Sequence, residues 1–411
     1  MAWTGRGVAW RTDRLVAAAI FAFGIAFCAL LYVVQLQVFG DRFWTEPSGL
    51  MLRDFGFFWG AARLFWLGNV GAVFDPGLFN GWLAGQIAPG TLEPYATWSY
   101  PPTMLLPLLP FGLLPAPLAL ALWLFATFAL LAVVLTLAFR DGRLTLAVLF
   151  SPAAFYCLSF GQNGALTAAL LIGGLWLLER RPAAAGVMLG LLVIKPQLGI
   201  LLPFALAAGG YWRSFAAAAV AALAAVGLSV VLFGAAAWWE FLHATVPHMS
   251  AQLLHDWPIP PQHAMPTTLV TLQGSGISTR VAIIGQVAST GLAALAVAWA
   301  WRRPGAEPRW RNAAVCAAAL LATPFGYVYD MIPALLAAAL LARPGFASGF
   351  MRAEPVVLAA VWIWPAITVV WSHVLGLPPI GAACLAALAL CLLGRVVRQP
   401  RQVARPAPQR L

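Results

Sequence analysis

Charge is what this chain has least of: 9% of its 411 residues are Asp, Glu, Lys or Arg, while 62% are hydrophobic. A soluble domain carries about 25% charged and about 45–50% apolar residues, so a water-soluble globular fold is excluded. Lysine is nearly absent; Lys195 stands alone among the arginines. The five cysteines, at 28, 157, 316, 384 and 391, lie singly inside apolar runs. Without paired spacing they form neither a disulfide framework nor a metal site, and small packing residues are expected. Internal repeats of fixed period, low-complexity tracts and a separate soluble domain are also missing. No small-residue cleavage site closes the first apolar run, which is therefore expected as a retained helix and not a removed leader.

What is present is an all-α polytopic membrane pattern. Apolar spans are expected at 15–39, 116–139, 144–160, 164–178, 183–194, 197–209, 214–234, 280–301, 312–323, 330–342, 355–372 and 379–394. The proline-broken piece 103–115 is too short for a span and is expected to be re-entrant, walling a site. The net charge of +11 sits in short loops and near the C-terminus, which points to membrane topology and anionic lipid and away from nucleic acid. With twelve spans and both termini cytoplasmic, 19 of 23 arginines fall inside, leaving only Arg42, Arg53, Arg63 and Arg280 outside. Residues 1–394 then form one transmembrane domain, with outer-face segments 40–115 and 236–279, and 395–411 a flexible basic cytoplasmic tail.

The outer face collects the unusual chemistry. Leu52 to Arg63 is expected as an amphipathic interfacial helix with Phe55, Phe58, Ala62 and Trp66 on one face and Asp54 at its start. Asp54 is either an N-cap or a catalytic base at the membrane boundary. Lys195 either snorkels to the interface or offers a compact cation to a phosphate. Gln162 and Asn163 cap a turn or meet sugar hydroxyls. Asp330 caps a helix or supplies a second acid beside Tyr327. His243, His248, His255 and His263 are spaced irregularly and interrupted by prolines, so polar packing or substrate contact is expected ahead of metal. His373 is expected at the interface.

These motifs, in order, resemble a known family. They are the acid-led aromatic helix Asp54 to Arg63, the turn from Asp75-Pro76 to Phe79, Tyr100-Pro101-Pro102, and Gly161-Gln162-Asn163. Ala185-Gly186 to Gly190, Ile194-Lys195-Pro196-Gln197 and Tyr211-Trp212-Arg213 follow. The chain resembles glycosyltransferase family 87 of the GT-C superfamily over about 15–345, with specific motifs in 50–215. The resemblance implies an inverting, metal-independent and cofactor-free sugar transferase in a bacterial plasma membrane, with its site on the periplasmic or extracellular side. A polyprenyl-phosphate sugar, mannose or another hexose or pentose, would be donor, and a lipid or glycan acceptor. Asp54 would be the general base. Lys195, with Arg63 and Arg280, would hold the donor phosphate. Tyr100, Gln162, Asn163, Gln197, His255, Asp256, His263, Tyr327 and Asp330 would meet sugar or acceptor. Where many members carry an Asn-Gln-Ser stretch, this chain has Pro261-Gln262-His263-Ala264. A lipid-linked-sugar flippase and a non-catalytic assembly subunit remain the alternatives.

Overall fold

The computed structural model describes residues 50–87, 98–255, 257–351 and 353–398, with four positions between 22 and 30. The expected first span, Asp256 and residues 399–411 otherwise lie outside the described residues. Among the described residues every regular element is a helix. The principal ones are α1 (Leu50–Trp66), α2 (Pro76–Ile87), α3 (Ala116–Phe139), α4 (Gly142–Leu149), α5 (Pro152–Phe160), α6 (Gly164–Leu177) and α7 (Pro182–Gly190). They continue as α8 (Leu202–Ala208), α9 (Trp212–Phe233), α10 (Thr279–Arg302), α11 (Pro308–Ala318), α12 (Ile332–Ser348), α13 (Glu354–Val369) and α14 (Gly381–Arg398).

The exterior is apolar. Phe125 on α3, Leu223 and Val231 on α9, and Val287 and Leu292 on α10 are all more than 60% exposed. An apolar belt of this extent is stable only against lipid. Among the described residues six helices are long and apolar enough to cross a bilayer, and a seventh span results if α4 and α5, bent by 51° at their junction, form one broken span. The expected spans 164–178, 183–194, 197–209 and 312–323 appear as shorter apolar helices or helical turns. Prolines 182, 196, 203 and 308 set their starts, because proline tolerates only the first turn of a helix. The segment 103–115 is a broken twelve-residue helix, Pro102–Leu113, two parts of it 3₁₀.

Among the helices long enough to cross a bilayer, the most buried is α12 with the turn before it: 78% of its apolar window is buried, against 11% for α9. Lipid supplies no hydrophobic drive between helices, so close packing of small residues holds them. Gly186 and Gly190, one turn apart on α7, lie on the backbone of α9. A Cβ at either would come 2.3 Å from a carbonyl oxygen, of Ser214 or Ala218 respectively.

Side-chain contacts sort the helix ends into two groups. One holds Asp141 with Arg343, Glu179 with Arg311 and Tyr211, Arg303 with the Val397 carbonyl, and Glu354 with Arg395. The other holds Asp54 with Gln162, and Asn163 with Lys195 and Asp330. The chain alternates between the two groups from α3 onward. Glu354 is fully buried and accepts two bonds from Arg395, at 2.8 and 2.6 Å. The tail expected to loosen at 395 therefore stays helical to Arg398.

The first polar helix differs in detail from its expectation. Asp54 is four residues into α1 and is not its N-cap. Phe55, Phe58 and Ala62 face the core as expected, but Trp66 is exposed and its indole donates to the Leu109 carbonyl. The indole of Trp59 donates to Leu114 O, so α1 runs antiparallel to 109–114 and is buried against it on most sides. The 236–279 segment is a series of short helices and turns, anchored by Thr245 Oγ1 donating to Phe74 O at 3.1 Å.

Replacing Gly190 by Leu should force α7 away from α9 and destabilise the protein by about 1–3 kcal/mol. Thermal melts in detergent check this. Gly291→Leu, where nothing lies within 4 Å of the added carbon, should melt like the unaltered protein.

Candidate active site

The site forms where five segments meet: the start of α1, the turn at Tyr100, the α5–α6 junction, the Lys195 turn and the 327–331 turn. Gly161 closes α5 in the left-handed region, at φ 65°, which a glycine adopts without strain. The chain then turns so that Gln162 and Asn163 project in succession from the mouth of α6. Gly164 follows because nothing larger fits: a Cβ there would lie 2.2 Å from Tyr329 O. The Lys195 turn arises between two 3₁₀ pieces, Leu191–Ile194 and Pro196–Gly199, since Pro196 cannot continue the preceding helix.

Lys195 is 2% exposed. Its Nζ donates to Asp330 Oδ1 at 2.6 Å, Asp330 Oδ2 at 2.8 Å and Asn163 Oδ1 at 3.2 Å. It also lies 4.9 Å from the centre of the Tyr329 ring and 5.7 Å from that of Tyr100. A lone ammonium in the interior is costly, and the carboxylate, amide oxygen and two ring faces together offset that cost. Asp330 also accepts from the Tyr327 backbone N–H at 3.1 Å, so the acid both closes its own turn and holds the cation. Neither is a surface group. Of the two readings of Lys195, snorkelling to the interface does not occur, and Asn163, at the N-cap position of α6, makes no side-chain cap.

From Asn163 the polar seam continues outward. Gln162 Nε2 donates to Asp54 Oδ2 at 2.8 Å, and Gln162 Oε1 accepts from the Tyr100 hydroxyl at 3.2 Å. Asp54 is half-buried at the seam's edge. The rings of Phe58, Trp98 and Tyr100 pack edge to face on one another, with centroids 5.3–6.3 Å apart. Burial first, then the negative charges of Asp330 and Asp54, push the Tyr100 hydroxyl well above its ordinary range, so it stays a neutral donor. Tyr327 stacks on Tyr329 with ring centroids 5.2 Å apart. The network thus brings together Asp54, Tyr100, Gln162, Asn163, Lys195, Tyr327 and Asp330.

Other candidates lie elsewhere. Arg63 is nine residues along α1 from Asp54, about 13 Å by helical rise, and donates to Gly112 O at 3.3 Å. Arg280 is exposed in the first turn of α10, and His255 is exposed after the 246–253 helix. Gln197 is half-buried one turn beyond Lys195. His263 is buried in a separate cluster: its Nδ1 lies 3.0 Å from Ser372 Oγ, and its ring contacts those of Trp257 and His373 at 4.8 and 4.9 Å. His243 stacks on Trp239 and His248 bonds to Gln252. Among the described residues no three His, Cys, Asp or Glu gather as a metal site would need. Tyr329, which grips the lysine, carried no distinguishing signal beyond its place in the Tyr-Val-Tyr-Asp run.

If the seam rests on the pair, Asp330→Leu should cost about 3–5 kcal/mol by stranding a buried cation. The double variant Lys195→Met with Asp330→Leu should recover most of that loss in a detergent melt. A double variant no more stable than the single would contradict the pairing. Burial, and then His373, hold the His263 ring below its ordinary value near 6.5. Its neutral form thus contributes stability fully above that pH, lost as pH falls through the lowered folded value. Melting temperature should decline more steeply between pH 7 and 5 in the unaltered protein than in His263→Gln.

The family model for glycosyltransferase family 87 matches residues 98–324, more than half of the chain. No curated protein and no solved structure matches it. The matched segment contains Tyr100, Gln162, Asn163 and Lys195, whereas Asp54 and Asp330 join from either side of it by hydrogen bonds to its residues. The chain belongs to glycosyltransferase family 87, a GT-C-type family of membrane glycosyltransferases.

Proposed function

We propose that the protein transfers a sugar, mannose or another hexose or pentose, from a polyprenyl-phosphate donor to a lipid or glycan acceptor, with inversion at the anomeric carbon. The observation that carries this reading is the Asp54–Gln162–Asn163–Lys195–Asp330 seam, which joins a half-buried carboxylate to a buried cation through two adjacent amides. Asp54 takes the acceptor hydroxyl's proton as that oxygen bonds to the anomeric carbon. The bond from that carbon to the phosphate oxygen breaks with its electron pair, and polyprenyl phosphate departs without needing a proton. Lys195 is the cation nearest this chemistry; a donor phosphate would share it with Asp330. Arg63 and Arg280 are the further cations of this reading. Tyr100 and Tyr327 offer hydroxyls and ring faces to the sugar, and Asn163 holds Lys195 beside them.

A lipid-linked donor is supported by an open apolar cavity of about 780 Å³ beside the seam, lined by Thr103, Leu170, Val187, Ile194 and Ala221 among others. Thr103 bonds to the Val193 carbonyl, two residues from Lys195. The setting of this proposal is the bacterial plasma membrane, with a twelve-span topology, cytoplasmic termini and Pro102–Leu113 re-entrant. That orientation is supported by the sorting of helix ends: Arg303, Arg311, Arg343 and Arg395 gather in one group and the seam in the other.

Asp54→Asn should lower transfer by about 10²–10⁴-fold while leaving the melt unchanged. The measurement is radiolabelled transfer by purified protein from a panel of polyprenyl-phosphate sugars to native lipid extract. Near-wild-type transfer by the variant would overturn the assignment.

A further inference from the structure

Gln162 reads from sequence as a sugar contact, yet both ends of its amide are engaged by the protein. It is 6% exposed. Nε2 donates to Asp54 Oδ2 at 2.8 Å. Oε1 accepts from the Tyr100 hydroxyl at 3.2 Å and lies 3.4 Å from the backbone N–H of Asn163. The backbone is fixed as well: the Gln162 N–H donates to Cys157 O at 2.9 Å and its carbonyl accepts from Cys157 Sγ at 3.2 Å. Cys157 Sγ in turn accepts from the Ala165 N–H, which ties α5 to the first turn of α6.

These contacts dictate the direction of the amide. Turned over, its NH₂ would face the Asn163 N–H, donor against donor, and its oxygen would face the Asp54 carboxylate, acceptor against acceptor. A backbone N–H has no alternative role, so the amide is locked with its donor aimed at Asp54. A donor held against one carboxylate oxygen stabilises the ionised form and fixes the plane of the group. We infer that Gln162 is a positioning residue, whose locked amide keeps Asp54 ionised and oriented for the proton transfer proposed above. This rests on the reading of Asp54 as base for its catalytic meaning, but not for its electrostatic content.

The arrangement also accounts for the order of types at 161–164. Gly161 makes the turn, Gln162 reaches outward to Asp54, Asn163 reaches inward to Lys195, and Gly164 admits the Tyr329 carbonyl. A shorter amide at 162 would not span from the α5–α6 junction to α1, and a carboxylate there would oppose Asp54 with like charge.

Asp54 can be titrated without any turnover by dicyclohexylcarbodiimide, a lipid-soluble reagent that modifies carboxyl groups only when protonated. Its pH-dependent labelling, read by peptide mass spectrometry of the full-length protein in detergent, is compared with Gln162→Met and Gln162→Glu. Loss of the donor in Gln162→Met should raise the half-labelling pH at Asp54 by about one unit. The like charge in Gln162→Glu should raise it by at least as much, with a broadened, two-step profile shared between the two carboxyls. Asp141, paired with Arg343 in the other group of helix ends, serves as an internal reference. An unmoved Asp54 midpoint in both variants, with melts like the unaltered protein, would overturn the inference. Should a variant misfold, the single variant Tyr100→Phe, with Gln162 retained, gives a second arm: it removes one lock on Oε1 and should move the midpoint less than Gln162→Met does. Equal or larger movement would also overturn it. The base assignment fails separately, through Asp54→Asn that retains transfer, whatever the titration gives.

Discussion

A single ion pair, Lys195 with Asp330, governs how this molecule arranges its polar interior. The chain spends one lysine and buries it where water is excluded. An ammonium in such surroundings has to be met by a carboxylate and by oriented dipoles, or the fold will not hold it. Asp330, Asn163, Tyr329 and Tyr100 meet it together. They come from three separate stretches of chain, so satisfying one charge fixes the relative positions of the Tyr100 turn, the α5–α6 junction, the 191–199 turn and the 327–331 turn. Gly164 permits the close approach, and the central helix α12 begins directly after Asp330.

The seam then passes outward through two consecutive amides to α1. Asn163 faces the cation and Gln162 faces Asp54, so inward structural electrostatics and outward chemistry share one dipeptide. Apolar packing surrounds both: Phe58, Trp98 and Tyr100 on the α1 side, and an alanine-rich α12 behind. At the other group of helix ends the ion pairs are of another kind. Glu354 with Arg395 is a fully hydrogen-bonded clamp between α13 and α14, and Glu179 with Arg311 is partly solvent-facing. Those pairs join one helix to another.

Much of this was legible beforehand. Composition alone required an all-helical membrane protein, and the apolar runs located most helices. Lys195 stood out by rarity and Asp54 by isolation. Helix length was not legible: periodicity does not mark where a run such as 183–194 tightens into a 3₁₀ turn, and prolines such as Pro196 trim helices by local sterics. Partnership was not legible either. Asp330 is 135 residues from Lys195, and Gln162 is 108 from Asp54. Such pairings are set by how helices pack, and no local pattern encodes them. The histidines illustrate the converse: four fall within 21 residues, yet the fold disperses them, with His263 alone carried into the interior beside Ser372.

The location of the donor tests the whole account most directly. A polyprenyl-phosphate sugar bearing a photoreactive group near its phosphate, irradiated with the purified protein, would mark the residues around it. The account predicts adducts on the peptides carrying Asp54, Tyr100 to Thr103 and Ile194 to Gln197. Adducts confined to the opposite helix ends, around Glu179, Tyr211 and Arg311, would contradict it.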